Sequence, residues 1–255
     1  MSPTRLYLNL GNTSLQWGLF EGGDWRDHGR FPAEEPQSTL QALRAALGEP
    51  DPPQTVAGCA SRADVGAWRQ AVLQVLPAPL ELLGCEFEAD FPTVYASPRQ
   101  LGPDRLANLL AARALGLAPC LILDAGTCLT ADVLSAEGRH LGGAIAAGLP
   151  ALRSGILSRA PHLASALPPL GSIPADDWGR DTTENLALGL EAGLVGAATW
   201  LLARCRQMTP APWRVILTGG DAGFLAAHLP EETHLYPTLT LDGVRLAYEA
   251  ARQDD

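Results

Sequence analysis

Leucines open this chain on alternate positions. Leu6, Leu8 and Leu10 are separated by Tyr7 and Asn9, and this period of two predicts a strand over Arg5–Asn9. Similar runs predict strands over Ser14–Phe20 and Trp25–Phe31, with turns at Gly11 and at Gly22-Gly23. The spacing then lengthens. Leu40, Leu43, Ala46 and Leu47 recur as one face of a helix. Thr55–Ala60 reads as a buried strand, Val65–Leu76 as a helix with Trp68, Val72 and Val75 on one face, and Leu80–Leu83 as a short strand. A loop containing Pro92 and Pro98 leads to Pro103, which suits the first position of a helix running to about Leu115.

The same order returns further on. Strands are predicted over Cys120–Asp124, Leu129–Leu134 and Leu141–Ile145, then a helix from about Leu149 to Leu157. Residues 159–180 hold four prolines and read as an irregular loop. A long helix spans about Thr182–Gln207, followed by a strand Val215–Thr218, a helix Ala222–His228, a short strand His234–Tyr236 and a closing helix Leu241–Arg252. Each half thus carries a sheet with helices to cover it, an α/β arrangement. The predicted division is 1–116 and 117–255, with a cleft between two such halves as the place for a ligand.

One phrase is spoken in both halves. Leu8-Asn9-Leu10-Gly11-Asn12-Thr13 and Leu123-Asp124-Ala125-Gly126-Thr127 each end a strand with Asn or Asp, then one residue, a glycine and small polar residues. Glycine lets backbone amides come close to a phosphate, hydroxyls and amides donate to its oxygens, and a carboxylate beside them holds a cation.

Composition narrows the chemistry. Hydrophobic residues make up 47% of the 255-residue chain, enough for a substantial core. The net charge of -10 argues against a nucleic-acid partner, which needs basic residues at phosphates. All 18 basic residues are arginine, so neither a P-loop lysine nor a Schiff-base lysine is available. The five cysteines form no CxxC pair and the five histidines are scattered without zinc-ligand spacing. Arg5 is followed at once by a strand and a glycine turn, and the reading finds neither a signal peptide nor a membrane-length apolar run. A cytoplasmic protein with no membrane partner is the expectation.

With these turns in place, the chain resembles the type III pantothenate kinases of the acetate-and-sugar-kinase, Hsc70 and actin superfamily. The resemblance runs through Asn9-Leu10-Gly11-Asn12-Thr13, Tyr95, Gly102-Pro103-Asp104-Arg105, Asp124-Ala125-Gly126-Thr127 with Thr130 and Asp132, Gly142-Gly143-Ala144-Ile145 with Gly148, Thr182 ahead of Gly189, and Thr218-Gly219-Gly220. It implies two ribonuclease-H-like domains with mixed sheets flanked by helices, in a duplicated actin-like topology. It also implies transfer of the ATP γ-phosphate to pantothenate, the first step toward coenzyme A. Asp104 would be the general base on the pantothenate hydroxyl, and Arg105 would hold the pantothenate carboxylate. Tyr95, Gly102, Pro103 and Thr182 would line the same substrate, the threonine coming from a neighbouring subunit of a homodimer. Asn9, Leu10, Gly11, Asn12, Thr13, Ser14, Leu15, Gln16 and Thr127 would contact ATP, carried with Mg2+. Asp124 would bind a monovalent cation, potassium or ammonium, and Thr218-Gly219-Gly220 would lie near the adenine or ribose.

Ordinary structural roles also suit some of these residues. Asp104 after Pro103 fits the acidic first turn of a helix, and Asp124 fits an Asp-x-Gly turn. Gly189, Gly193 and Gly196 on the long helix point to a packing surface, either within the chain or at a dimer interface. The chain departs from the family at Asn9, where the resemblance calls for aspartate. Asparagine keeps the shape and one acceptor oxygen but loses the charge. Magnesium prefers carboxylates, so a weaker metal–ATP complex is expected. The alternative readings are a sibling kinase acting on a related hydroxyl compound and a catalytically weakened, nucleotide-binding regulator of the kind named Bvg accessory factor. Retention of Tyr95, Asp104, Arg105 and Thr182 favours the kinase.

Overall fold

The computed structural model describes residues 4–48, 53–169, 177–208, 213–230 and 232–253. By contacts it divides into two compact units. One is Met1–Gly116 together with Thr238–Asp255, and the other is Leu117–Pro237.

The first unit is built on β1 (Arg5–Leu10), β2 (Ser14–Glu21), β3 (Asp24–Pro32), β4 (Thr55–Ala60) and β5 (Leu80–Leu82). They form one sheet in the order β3-β2-β1-β4-β5. β1 is antiparallel to β2 and parallel to β4, with Leu10 opposite both Leu15 and Ala60. The alternation that predicts β1 serves two cores. Leu6, Leu8 and Leu10 enter one apolar cluster with Leu15, Trp17 and Trp68. Tyr7 faces the other way, into a cluster with Ala57, Cys59 and Phe87. Both faces are therefore covered, as expected where parallel strands sit inside a sheet.

Helices α1 (Pro36–Leu47) and α2 (Val65–Val75) cover the first face through Leu40, Leu43, Trp68 and Val72. Helices α3 (Pro103–Ala114) and α7 (Leu239–Ala251) cover the second through Ala107, Leu241, Val244 and Tyr248. A side chain at Gly243 would stand 1.8 Å from the Ala107 carbonyl oxygen, so only glycine allows α3 and α7 to approach this closely. The closing helix is thus a correction to the predicted division: its sequence neighbours are in the second half, but it packs in the first unit.

The second unit repeats the plan. Strands β6 (Cys120–Ala125), β7 (Cys128–Leu134), β8 (His140–Ala147), β9 (Arg214–Thr218) and β10 (Thr233–Leu235) lie in the order β10-β9-β6-β7-β8. β6 is antiparallel to β7 and parallel to β9, as β1 is to β2 and β4. Helices α4 (Leu149–Arg159), α5 (Thr182–Met208) and α6 (Ala222–His228) cover one face through Leu149, Leu190, Leu194, Leu202 and Leu225. The two sheets share one connectivity, the duplicated α/β topology of the actin-like fold.

Two sequence expectations need correction. The segment 159–180 is not wholly irregular, since Pro161–Ala166 forms a 3-10 helix; part of that segment, 170–176, lies outside the described residues. The second concerns α5, whose 27 residues are long enough to cross a membrane and contain an 18-residue window with a mean hydropathy of 1.6. The many Ala and Gly residues between its leucines hide that apolarity from a search for unbroken large side chains. Its stripe Ala187, Leu190, Leu194, Ala198, Leu201 and Cys205 is buried in the core of the second unit, while 28% of that window is buried in all.

Candidate active site

The phrase that occurs twice forms the β1–β2 turn in the first unit and the β6–β7 turn in the second. In the first, the Gly11 amide donates to the Ser14 carbonyl at 3.0 Å, and a side chain on Gly11 would meet that oxygen at 3.0 Å. Asn12 and Thr13 are exposed at the tip. Leu10 and Leu15 are wholly buried, so only their backbone groups are offered to a ligand. Gln16 is buried too, at 6% exposure.

Most of what holds this turn comes from the end of β4. The Asn12 amide donates to the Ser61 carbonyl at 3.0 Å and the Ser61 amide donates to the Leu10 carbonyl at 3.1 Å. Arg62 Nη1 donates to the Gly11 carbonyl at 2.9 Å. That guanidinium is gripped by both oxygens of Asp64 and lies over the Trp68 ring, 4.7 Å from its centroid. Hydrogen bonding to Arg62 holds the Asp64 carboxyl below the usual carboxylate range. From β3, Arg30 Nη1 donates to Ser14 Oγ at 2.9 Å. Sequence reasoning missed Ser61, Arg62 and Cys59. The available signal was topological: the carboxyl end of a strand parallel to β1 is where such folds place ligand groups.

The strand register sets the chemistry beside each turn. Asn9 lies between Gln16 on β2 and Cys59 on β4. Asp124 lies between Thr130 on β7 and Thr218 on β9. The two rows are equivalent by topology, and they differ in the middle residue, an amide in one and a carboxylate in the other. Cys59 Sγ donates to Asn9 Oδ1 at 3.4 Å.

The second turn is walled by glycines. A side chain at Gly148 would stand 2.2 Å from the Gly126 carbonyl oxygen and 2.7 Å from that of Thr127. One at Gly219 would stand 2.5 Å from Asp124 Oδ1 and 2.5 Å from the Ala125 carbonyl oxygen. Gly219 also has φ 94°, where L side chains are strained. The hydroxyl of Thr218 is buried and has no hydrogen-bond partner among the described residues. A carboxylate, backbone carbonyls and an orphan hydroxyl, set where two glycines let the backbones approach closely, suit a hard cation with oxygen ligands. The first turn, whose strand-end residue is Asn9, lacks the carboxylate that a divalent ion prefers. Among the described residues no group of three or more His, Cys, Asp or Glu gathers as a ready-made metal site.

The third group stands at the start of α3. Gly102 precedes the helix and Pro103 begins it, fixed in φ and needing no amide partner. Asp104 Oδ1 accepts from the Arg105 amide at 2.8 Å, so the carboxylate folds back over its own helix end. A side chain at Gly102 would meet that oxygen at 2.8 Å. Asp104 Oδ2 has no hydrogen bond among the described residues. The helix-start role of Asp104 therefore occupies one carboxylate oxygen and leaves the other open.

Arg105 is 5% exposed, and its Nη1 donates to Tyr95 Oη at 3.1 Å. Its guanidinium carbon lies 5.8 Å from the Tyr95 ring centre. A hollow of 1070 Å³ opens beside this group, lined among others by Phe91, Thr93, Ser97, Leu101, Pro103 and Leu106. Tyr95, Gly102, Pro103, Asp104 and Arg105 are thus brought together in the first unit. Thr182 is exposed at the first residue of α5 in the second unit, where Asp181 Oδ1 accepts from the Glu184 amide at 2.9 Å.

Comparison with known proteins gives these turns a family. A type III pantothenate kinase from Thiobacillus denitrificans is 34% identical over 255 residues, covering 96% of each chain. Among solved structures, a Baf family transcriptional activator from Campylobacter jejuni superposes with TM-score 0.57 at 18% identity, covering 97% of this chain and 99% of the other. The activator of 2-hydroxyisocaproyl-CoA dehydratase from Clostridium difficile, with bound ADPNP, superposes with TM-score 0.57 at 11% identity, covering 98% and 96%. At those identities the structures speak for the fold. The profile of the type III pantothenate kinases matches residues 5–204, which hold both glycine turns and the Asp104-Arg105 pair, and the chain belongs to that family.

Proposed function

We propose that this protein transfers the γ-phosphate of ATP to the hydroxyl of pantothenate, giving 4′-phosphopantothenate. The observation that carries the reading is the group at the head of α3. A carboxylate with one oxygen tied and one open stands next to a buried guanidinium that leans on a tyrosine. The Arg105 guanidinium is a planar fork, and the pantothenate carboxylate is a planar anion that such a fork meets bidentately.

Each residue then has one task. Asp104 Oδ2 takes the proton from the acceptor hydroxyl as it attacks phosphorus, which needs an approach of about 3 Å. Arg105 holds the carboxylate, with Tyr95 fixing the guanidinium plane. Gly102 and Pro103 shape the wall, and Thr182 of a neighbouring subunit closes it. The turn residues Asn9 to Gln16 and Thr127 contact the nucleotide, Leu10 and Leu15 through backbone groups alone. Asp124, with the carbonyls walled by Gly148 and Gly219, suits a potassium or ammonium ion, which supplies positive charge near the phosphates. Magnesium accompanies the ATP. An apolar groove of 520 Å³ on the second unit, lined by Leu141, Trp200 and Met208 among others, supports a homodimer, since Trp200 is 64% exposed. A cytoplasmic location suits the substrates.

The test is a coupled assay for ADP. Release should depend on pantothenate, magnesium and a monovalent cation. Asp104→Asn should lower kcat by about 10²–10⁴-fold, the usual worth of a general base, with the pantothenate KM little changed. A folded wild-type protein that binds nucleotide but releases no ADP sinks the reading.

A further inference from the structure

The middle residue of the first polar row is an amide, and the structure fixes which way it turns. Asn9 Oδ1 accepts the Cys59 thiol at 3.4 Å. That bond is the only one of the Asn9 side chain among the described residues. An amide has an acceptor end and a donor end. With the oxygen committed to Cys59, the half-buried side chain has its NH2 left for a ligand. The surroundings favour an anion there. Arg30 donates to Ser14 Oγ and Arg62 to the Gly11 carbonyl, so two guanidinium groups bear on the turn. Arg62 shares its charge with Asp64, while the turn itself contains no acidic residue from Asn9 to Gln16.

We propose that the first turn grips a nucleotide phosphate directly, with the Asn9 NH2 as donor and Cys59 as the residue that holds it in that orientation. This rests on the turn being a nucleotide site, as argued above. An aspartate at position 9 behaves in the opposite manner. It repels a bare phosphate and gains affinity only with a metal ion between the two. The departure at Asn9 is thereby a change of binding mode at this turn, with the amide taking over contact from a bridging cation. Cys59 is a positioning residue: without its thiol the amide is free to turn its oxygen toward the phosphate and oppose it.

The experiment measures ADP binding by calorimetry in EDTA and again with saturating magnesium, for the wild type, Asn9→Asp, Cys59→Ala, Cys59→Ser and Gly11→Ala. In EDTA, Asn9→Asp should bind ADP about ten- to a hundredfold more weakly than wild type, the worth of a hydrogen bond to a charged group. Magnesium should close most of that gap. Cys59→Ala should lose a fewfold in EDTA, and Cys59→Ser, which restores a donor, should recover it. Asn9→Asp binding as tightly as wild type in EDTA overturns the proposal, as does Cys59→Ala binding unchanged. If Gly11→Ala weakens ADP while Asn9→Asp does not, the turn remains a nucleotide site and the amide contact is wrong. If neither variant alters ADP binding, the turn is not a nucleotide site and both readings fall together.

Discussion

Gly148→Ala is a small change with a large expected effect. Gly148 has ordinary extended backbone, φ -78° and ψ 178°, so alanine brings no dihedral strain there. The difficulty is space. Its Cβ would lie 2.2 Å from the Gly126 carbonyl oxygen, 2.7 Å from that of Thr127 and 2.9 Å from the Cys128 carbonyl carbon. All three are backbone atoms, so no side chain can swing aside. Restoring a separation of 3.0–3.4 Å means opening the contact by 0.8–1.2 Å (3.0 or 3.4 less 2.2). The β6–β7 turn is what moves, because Gly148 is also tied to α4 through its carbonyl, which accepts from the Leu152 amide at 2.9 Å. A displacement of about 1 Å at a reacting centre costs about 10²-fold, or about 2.7 kcal/mol of barrier. The strain itself costs about 1–3 kcal/mol of stability, a fall of several degrees in Tm.

The assay is pantothenate-dependent ADP release across a potassium titration, beside a thermal melt. Gly148→Ala should lose about 10²-fold in kcat/KM and need more potassium, while still unfolding cooperatively. Gly155→Ala is the control. It lies in α4, and its Cβ would meet nothing within 4 Å. It should keep its activity and gain about 1 kcal/mol from helix propensity. A folded Gly148→Ala with kcat/KM and potassium dependence within twofold of wild type would refute the account of the second turn.

Two further outcomes are expected. Arg105→Met keeps the buried stem but loses the fork, so the pantothenate KM should rise about 10–100-fold with kcat much less affected, as for binding shared by ground and transition states; initial rates against pantothenate decide it, and an unchanged KM contradicts the role. Tyr7 is wholly buried, and burial, then the Glu249 carboxylate, pushes its pKa up to about 12 against an opposing pull from Arg5. The fold therefore prefers the neutral phenol, and this contribution is complete below pH about 10 and lost as pH rises through about 12, up to about 2–3 kcal/mol. The chain has no lysine to titrate in that window, although burial pushes the Cys120 thiol up to about 12 as well. Urea midpoints at pH about 7, 10 and 11.5 should show Tyr7→Phe losing less stability in alkali than wild type; an identical loss contradicts this.

The strands of the first unit were legible because leucine alternation is a local property. β1 reads Leu6, Leu8, Leu10 whichever strands pair with it. The head of α3 was legible for the same reason, since Pro103-Asp104-Arg105 needs only its own neighbours to be recognised. The support of the first turn was not. Arg62 reaches Gly11 and Cys59 reaches Asn9 only because β4 lies parallel to β1 in one register, and spacing along the chain does not encode that pairing. Nor does the apolar face of α7 name its sheet. The choice shows in Gly243 fitting against Ala107, Trp25 donating to Asp242 and Arg5 pairing with Glu249.

That choice has a consequence for how the protein is made. The second unit is one continuous stretch, and it is complete once residue 237 has been synthesised. The first unit begins earlier and finishes later, because α7 must come back to it across the 121 residues of 117–237. At about 5–20 residues per second these take about 6–24 s to emerge. Through that interval Tyr7, Ala57 and Ala107 lack the helix that covers them. The nascent chain therefore carries an apolar sheet face covered by α3 without α7 while its later half is already able to close, and folding helpers that bind such faces have their target in the half made first.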